Sequence, residues 1–218
     1  TLSVSPAGQS IFRGWSGDAC SGSTAISCQV TMNGDRTVNA RFEAPVTVSI
    51  RGTGEGRGII TSTPAGISCN LVGASGQGAC TALFNEGTSI SLSAAALSGN
   101  SFRGWGGDCA GQVGTTCILP ITGTQRNVTA QFDPPAVITV VPTGTGDGQV
   151  FAGSVISCLR ANGSNSGTCS ATVPNGTTLT LTALPDGESN FSGWTGACSG
   201  TCLCQVTVDQ ARTVTAVF

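Results

Sequence analysis

The sequence contains no histidine, no tyrosine and no lysine, and only one methionine. All nine basic residues are Arg, against eleven Asp and Glu, and charged residues make up 9% of the 218-residue chain. Activated nucleophiles usually need a His or Lys beside them, so nucleophilic catalysis lacks its usual base. A carboxylate dyad is the remaining acid–base device, but the acidic residues form no paired arrangement that recurs along the chain. No catalytic residue is therefore assigned, and no cofactor is expected. With a net charge of −2 and no basic cluster, nucleic acid is not an expected partner. No apolar run nears the roughly 20 residues needed to span a bilayer. No signal peptide is legible, and the chain opens in strand-like sequence, as expected of a mature product or a fragment of a longer polypeptide.

What the chain has in excess is glycine, at 32 residues, and cysteine, at 11. Disorder needs low hydrophobicity and high net charge, and 39% hydrophobic residues point instead to a folded, loop-rich chain. Cysteines without histidine argue against Cys/His zinc sites and for disulfides, hence for an oxidising compartment outside the cytoplasm.

The strongest feature is self-similarity, which precedes other readings. The words "SIFRGWSGDAC" (10–20), "SFRGWGGDC" (101–109) and "NFSGWTGAC" (190–198) are copies of one another. Each is preceded by an alternating stretch, "TLSVS" (1–5), "TSISLSA" (88–94) or "TTLTLTA" (177–183), and followed by "RTVNARF" (36–42), "RNVTAQF" (126–132) or "RTVTAVF" (212–218). Two longer blocks, "VTVSIRGTGEGRGII" (46–60) and "AVITVVPTGTGDGQVF" (136–151), open the second and third copies. The connectors "EAP" (43–45) and "DPP" (133–135) mark boundaries, because Pro cannot donate to a central ladder and stiffens its neighbourhood. The expected organisation is the C-terminal half of a repeat module at 1–45 and complete modules at 46–135 and 136–218. A half module leaves unpaired strand edges, so the natural polypeptide is expected to continue upstream, or another chain to supply the missing half by strand donation.

Period-two alternation places Val38, Ala40 and Phe42 on one face, as it does Ile90, Leu92 and Ala94. With Gly, Asn and Pro at short intervals, this predicts an all-β fold of tandem small antiparallel β-sandwich-like modules. "SLSAAALSG" (91–99) is read as strand and turn, because the matching "TLTALPDG" (180–187) carries Pro185.

Register pairs ten cysteines as Cys20/Cys28, Cys69/Cys80, Cys109/Cys117, Cys158/Cys169 and Cys198/Cys204. For loops near ten residues each bridge is worth roughly 2.5–3 kcal/mol. Cys202 is left over, as a free, alternatively paired or intermolecular cysteine. A metal site at Cys198, Cys202 and Cys204 lacks a fourth ligand, and no metal is expected.

The expected repeat core is Phe12, Trp15, Phe42, Phe102, Trp105, Phe132, Phe191, Trp194 and Phe218. An alternative makes Trp15, Trp105 and Trp194 platforms for sugar; packing against the disulfide explains them more simply. Asp18 and Asp108 read as turn-forming residues, since Ala197 stands in the third copy. "GTGEG" and "GTGDG" suggest phosphate loops, but a strand follows where a helix N-terminus is required, so they read as turns. Asn-x-Ser/Thr triplets at Asn127, Asn162, Asn175 and Asn190 permit glycosylation in a secreted chain.

The run "FRGWSGDACSG…CQVTMNGDRTVNARF" resembles the divergent internalin-B-type repeat of bacterial secreted and surface proteins. So do "PAGISC" (64–69) and the V-x-V-x-x-x-G-x-G opening. The resemblance covers essentially the whole chain. It implies a β-grasp-like fold as the alternative to a sandwich, and a role as stalk, spacer or adhesive element with no catalytic residues to carry over. The departures are Ala197 in place of Asp and Pro120 in "CILPI". The expected function is a non-enzymatic extracellular structural protein, a stalk or filament component at a bacterial surface. Its partners would be neighbouring modules of the same or identical chains. The alternative is an adhesin or carbohydrate-binding array with a glycan or cell-surface ligand.

Overall fold

The computed structural model describes residues 1–7 and 10–218, and among them every regular element is a strand. Residues 1–45 carry β1 (Leu2–Ser3), β2 (Ile11–Gly17), β3 (Ser27–Cys28) and β4 (Val38–Glu43). Nine strands follow: β5 (Val46–Thr53), β6 (Arg57–Thr63), β7 (Ser68–Val72), β8 (Ser75–Ala79), β9 (Thr81–Phe84), β10 (Ser89–Ala96), β11 (Ser101–Gly107), β12 (Thr116–Pro120) and β13 (Gln125–Asp133). The last nine are β14 (Ala136–Thr143), β15 (Gly148–Ala152), β16 (Ile156–Ala161), β17 (Ser164–Thr168), β18 (Ser170–Val173), β19 (Thr177–Pro185), β20 (Gly193–Gly196), β21 (Cys204–Val208) and β22 (Arg212–Val217). The alanine-rich stretch is strand β10, as its alternation predicts. The absence of any helix among the described residues separates the fold from a β-grasp and leaves the sandwich reading. By packing density the chain forms two units. One comprises Thr1–Thr53, Ile59–Ala95 and Gly104–Gln131, the other Gly54–Gly58, Ala96–Arg103 and Phe132–Phe218.

The two nine-strand sets have the same topology. One sheet of each runs β9-β5-β13-β11 or β18-β14-β22-β20; the other runs β8-β7-β6-β10-β12 or β17-β16-β15-β19-β21. The sequence pattern predicts antiparallel neighbours, and most are. One pair in each set is parallel: the opening strand lies beside the closing strand, with Thr47 opposite Gln125 and Ile138 opposite Arg212. A parallel pair requires a long crossover, and here the other strands of the set supply it. Each set is thereby closed by its own two ends.

In the second set, alternate residues of both sheets face inward. Ile138 and Val140 of β14, Val150 of β15, Ile156 of β16, Leu181 of β19, Val206 of β21 and Val214 of β22 belong to one buried cluster. Burying each such side chain contributes roughly 1.5–3 kcal/mol. The closing phenylalanine of each set lies on a glycine. A Cβ built on Gly58 would sit 2.2 Å from the Phe132 ring, and one on Gly148 would sit 2.5 Å from the Phe218 ring. The glycine blocks are therefore places where an aromatic ring meets bare backbone, and no phosphate-binding role is needed to explain them.

Residues 1–45 carry only β1–β4, the counterparts of the last four strands of each nine-strand set. β1 pairs with β3 and β2 with β4, each as a two-stranded sheet. Leu2 faces Cys28 as Leu92 faces Cys117 and Leu181 faces Cys204. Yet Leu2 is 44% exposed, Met32 70% and Phe42 43%. Their counterparts Leu92 and Leu181, Ile121 and Val208, and Phe132 and Phe218 are all 5% exposed or less. The expectation that Phe42 is a core residue is thus not met, because the strands that would cover it are those of a first half.

Candidate functional site

The feature built three times is the corner where the Phe-x-Gly-Trp word meets the disulfide loop. The indoles of Trp15, Trp105 and Trp194 are all buried, none more than 9% exposed. Trp15 Nε1 donates to Ala25 O at 2.8 Å and Trp194 Nε1 to Cys202 O at 2.7 Å. In both corners the indole anchors a carbonyl inside the loop closed by the disulfide. Phe12 meets Trp15 edge-on at 5.3 Å and Phe42 at 5.6 Å; Phe191 meets Trp194 at 5.0 Å and Phe218 at 5.6 Å. Phe102 lies 5.3 Å from Phe132. Such tilted and edge contacts suit the ring quadrupoles. Phe12, Phe102 and Phe191 are half-buried, at the rim of the core.

The second glycine of the word is required by geometry. Gly17, Gly107 and Gly196 have φ of +103°, +64° and +89°, and an added Cβ would lie 2.2, 2.2 and 2.6 Å from the carbonyl oxygens of Thr37, Asn127 and Thr213. The close approach lets the next residue donate across the corner: Asp18 N to Thr37 O, Asp108 N to Asn127 O and Ala197 N to Thr213 O, at 2.8, 2.8 and 2.9 Å. The carboxylates of Asp18 and Asp108 complete the link by accepting from Thr37 N at 2.7 Å and Asn127 N at 2.6 Å. Their role is a clamp between segments 19 residues apart, where the sequence suggested a local turn. Ala197 keeps the backbone bond and loses the carboxylate, which explains why the third copy tolerates it.

The disulfides join Cys20 to Cys28, Cys69 to Cys80, Cys109 to Cys117, Cys158 to Cys169 and Cys198 to Cys204. Cys202 is a free, exposed thiol. Among the described residues there is no group of three or more metal-ligating side chains and no buried charged residue. The ion pairs among the described residues lie at the surface. Arg13 hydrogen-bonds Glu43 at 2.5 Å, and this contact, assisted by Arg41, holds the Glu43 carboxyl below its ordinary range. Arg212 does the same for Asp209 at 2.6 Å. Of the glycosylation triplets, Asn175 uses its side-chain nitrogen on Asp209 O, whereas Asn162 and Asn190 are exposed. Among the described residues, no helix is long and apolar enough to cross a membrane.

Among solved structures, the chain is similar to the shaft pilin SpaA from Lactobacillus rhamnosus GG, at 8% identity, covering 79% of this chain and 97% of that one, with a TM-score of 0.29. It is also similar to the major pilin T-13 from Streptococcus pyogenes, at 12% identity, covering 80% and 95%, with a TM-score of 0.30. The pilus adhesin SpaC from L. rhamnosus GG matches at 11% identity, covering 84% and 35%, with a TM-score of 0.26. Likenesses this low carry no argument about function. No curated protein matches the chain significantly. The model of the divergent InlB B-repeat domain, in contrast, matches residues 1–45, 71–136 and 155–218. These three stretches hold all three aromatic corners, and the chain belongs to the divergent InlB B-repeat family.

Proposed function

We propose that the chain is a non-enzymatic, extracellular structural array, a stalk or fibre component of a bacterial surface. In this reading it is organised as module segments 1–45, 46–135 and 136–218. The observation that carries the reading is the copying of a whole nine-strand set, strand for strand, with its aromatic corner and disulfides. Catalysis is concentrated in one place, whereas every prominent feature here is duplicated and each is used in packing. Five disulfides fit an oxidising compartment. All three indoles are buried, and those of Trp15 and Trp194 donate to carbonyls of their own loops, so they support no sugar platform. The expected partners are modules of the same kind.

Electron microscopy of native material, purified without reductant, tests the reading. Elongated fibres or surface-anchored stalks that label along their length with an antibody to residues 46–218 are expected. Label confined to a compact secreted particle overturns it.

A further inference from the structure

We propose that the turn after the fifth strand of each nine-strand set is a docking surface for the aromatic corner of the repeat before it, and that Arg13 and Ser101 are the residues that dock. The turns are residues 85–88, between β9 and β10, and residues 174–177, between β18 and β19. They are built alike. Each carries a glycine at its third position, Gly87 with φ of +80° and Gly176 with φ of +84°, as a type II turn requires. Each ends in a threonine whose amide and hydroxyl both donate to the carbonyl of the first residue, Thr88 to Asn85 O and Thr177 to Pro174 O. The turn's own bonds thus use the first carbonyl. The second, that of Glu86 or Asn175, is left for another donor.

The preceding corner supplies that donor in both places. Arg13, inside the first Phe-x-Gly-Trp word, donates from Nη2 to Glu86 O at 2.6 Å. Ser101, immediately ahead of Phe102 in the second word, donates from Oγ to Asn175 O at 3.0 Å. The guanidinium of Arg103 lies beside the same turn, since a Cβ built on Gly176 would sit 3.2 Å from its Nη1. Each arginine is held by the acid at the end of the neighbouring closing strand. Arg13 Nε meets Glu43 of β4 at 2.5 Å, and Arg103 Nε meets Asp133 of β13 at 2.8 Å. Arg13 and Glu86 belong to one compact unit, and Ser101 and Asn175 to the other, so each contact is made inside a single unit.

The peptide groups 86–87 and 175–176 are therefore bonded on both sides. Their carbonyls face the preceding corner. Their N–H groups donate within their own set, Gly87 N to Ile121 O at 2.8 Å and Gly176 N to Val208 O at 2.9 Å. The side chains of the same two residues brace the turn against a second one. Glu86 Oε1 accepts from Gly123 N at 3.3 Å, and Asn175 Nδ2 donates to Asp209 O at 2.8 Å. One is an acceptor and the other a donor, yet both make the same link. Hydrogen bonds in series polarise one another, so loss of the outer bond weakens the inner one. The surface takes a partner of defined chemistry: a guanidinium or hydroxyl carried on the leading strand of an aromatic corner. The inference concerns one repeat against the next and stands independently of the stalk reading.

Amide hydrogen exchange in the full, disulfide-bonded chain tests the proposal, because the amides of Gly87 and Gly176 belong to the two peptide groups concerned. Arg13→Ala is expected to speed exchange at Gly87 about fivefold, and Ser101→Ala at Gly176 about threefold, as for loss of a charged and a neutral donor at exposed sites. Neither variant should move the other's glycine, nor the amides of Asp18 and Asp108 inside the corners. Glu43→Gln keeps the donor to Glu86 and should speed Gly87 less than Arg13→Ala does. Unchanged exchange at either glycine in its own variant overturns the proposal. Equal acceleration of Gly87, Asp18 and Asp108 by Arg13→Ala also overturns it, because Arg13 then supports the fold at large. An effect of Glu43→Gln as large as that of Arg13→Ala overturns the direct contact.

Discussion

Residues 1–45 and residues 88–133 share one sequence pattern and differ in their surroundings. The aromatic corner is shared by both regions: a glycine at positive φ against a carbonyl oxygen, the backbone bond from the aspartate, and a disulfide of sequence separation 8. The face beyond the corner is not the same. Phe132 is sealed by Phe102, Gly58 and the strand beside it, whereas Phe42 has Phe12 and solvent. Local geometry is thus carried by a half repeat alone, and burial is carried only by the whole. The comparison separates interactions that need a neighbouring strand from those made within 30 residues of chain.

The largest expected effect tests that separation directly. Phe132→Ala and Phe218→Ala should each destabilise by about 3–5 kcal/mol, the cost of emptying a packed aromatic site. Phe42→Ala should cost about 1 kcal/mol or less, mostly its contact with Phe12. Denaturant unfolding followed by residue-resolved hydrogen exchange measures all three. Equal losses at Phe42 and Phe132 break the comparison, because they mean that Phe42 is buried in solution.

Disulfide removal comes next and should not discriminate. Replacing Cys20 and Cys28, or Cys109 and Cys117, by alanine removes a loop of the same length, so chain entropy assigns about 2.5 kcal/mol to each. A much smaller loss in the half repeat implies that its ends are already unconstrained. Gly17→Ala and Gly107→Ala should also match each other, at about 1–3 kcal/mol, since both positions have positive φ and meet a carbonyl oxygen at the same distance. Amide exchange at Asp18 and Asp108 reads this out. Asp108→Ala should cost about 1 kcal/mol, because Ala197 already occupies the matching position in the third copy with its backbone bond intact.

The smallest effect is a pH dependence, one part of which lies in residues 1–45 and another at Asp209 beside Arg212. Glu43 has a folded-state pKa lowered from 4.5 by Arg13 and then Arg41. The unfolded state therefore takes up its proton first as pH falls. The stabilisation is fully present above pH 4.5 and disappears as pH drops through the lowered value. Because the pair is exposed, the change should be small and weakened by salt. Glu43→Gln should reduce it and leave the part due to Asp209; an unchanged profile would falsify the assignment to this pair.

Much of this molecule is legible in one dimension. Alternation in "TLTLTA" and "RTVTAVF" specifies strands because a pleated strand puts every second residue on one face, whatever lies opposite. The aromatic word announces a repeat because Phe, Trp and Gly meet within one short segment. The aspartate clamp is not legible, since a carboxylate beside a glycine reads as a turn until the segment 19 residues away is known to lie against it. The glycine block is ambiguous for the same reason, since only the position of Phe132 or Phe218 shows what Gly58 and Gly148 make room for.

By itself, then, the sequence determined the all-β character, the repeat and the family, all of which depend on near neighbours and on periodicity. Only the tertiary structure decided the parallel closure of each complete repeat and the fate of three equivalent phenylalanines. Pairing between strands some 80 residues apart depends on which surfaces remain to be buried once local hairpins have formed. The chain can write the same Val-x-Ala-x-Phe strand three times, but a side chain is core only where other strands come to cover it.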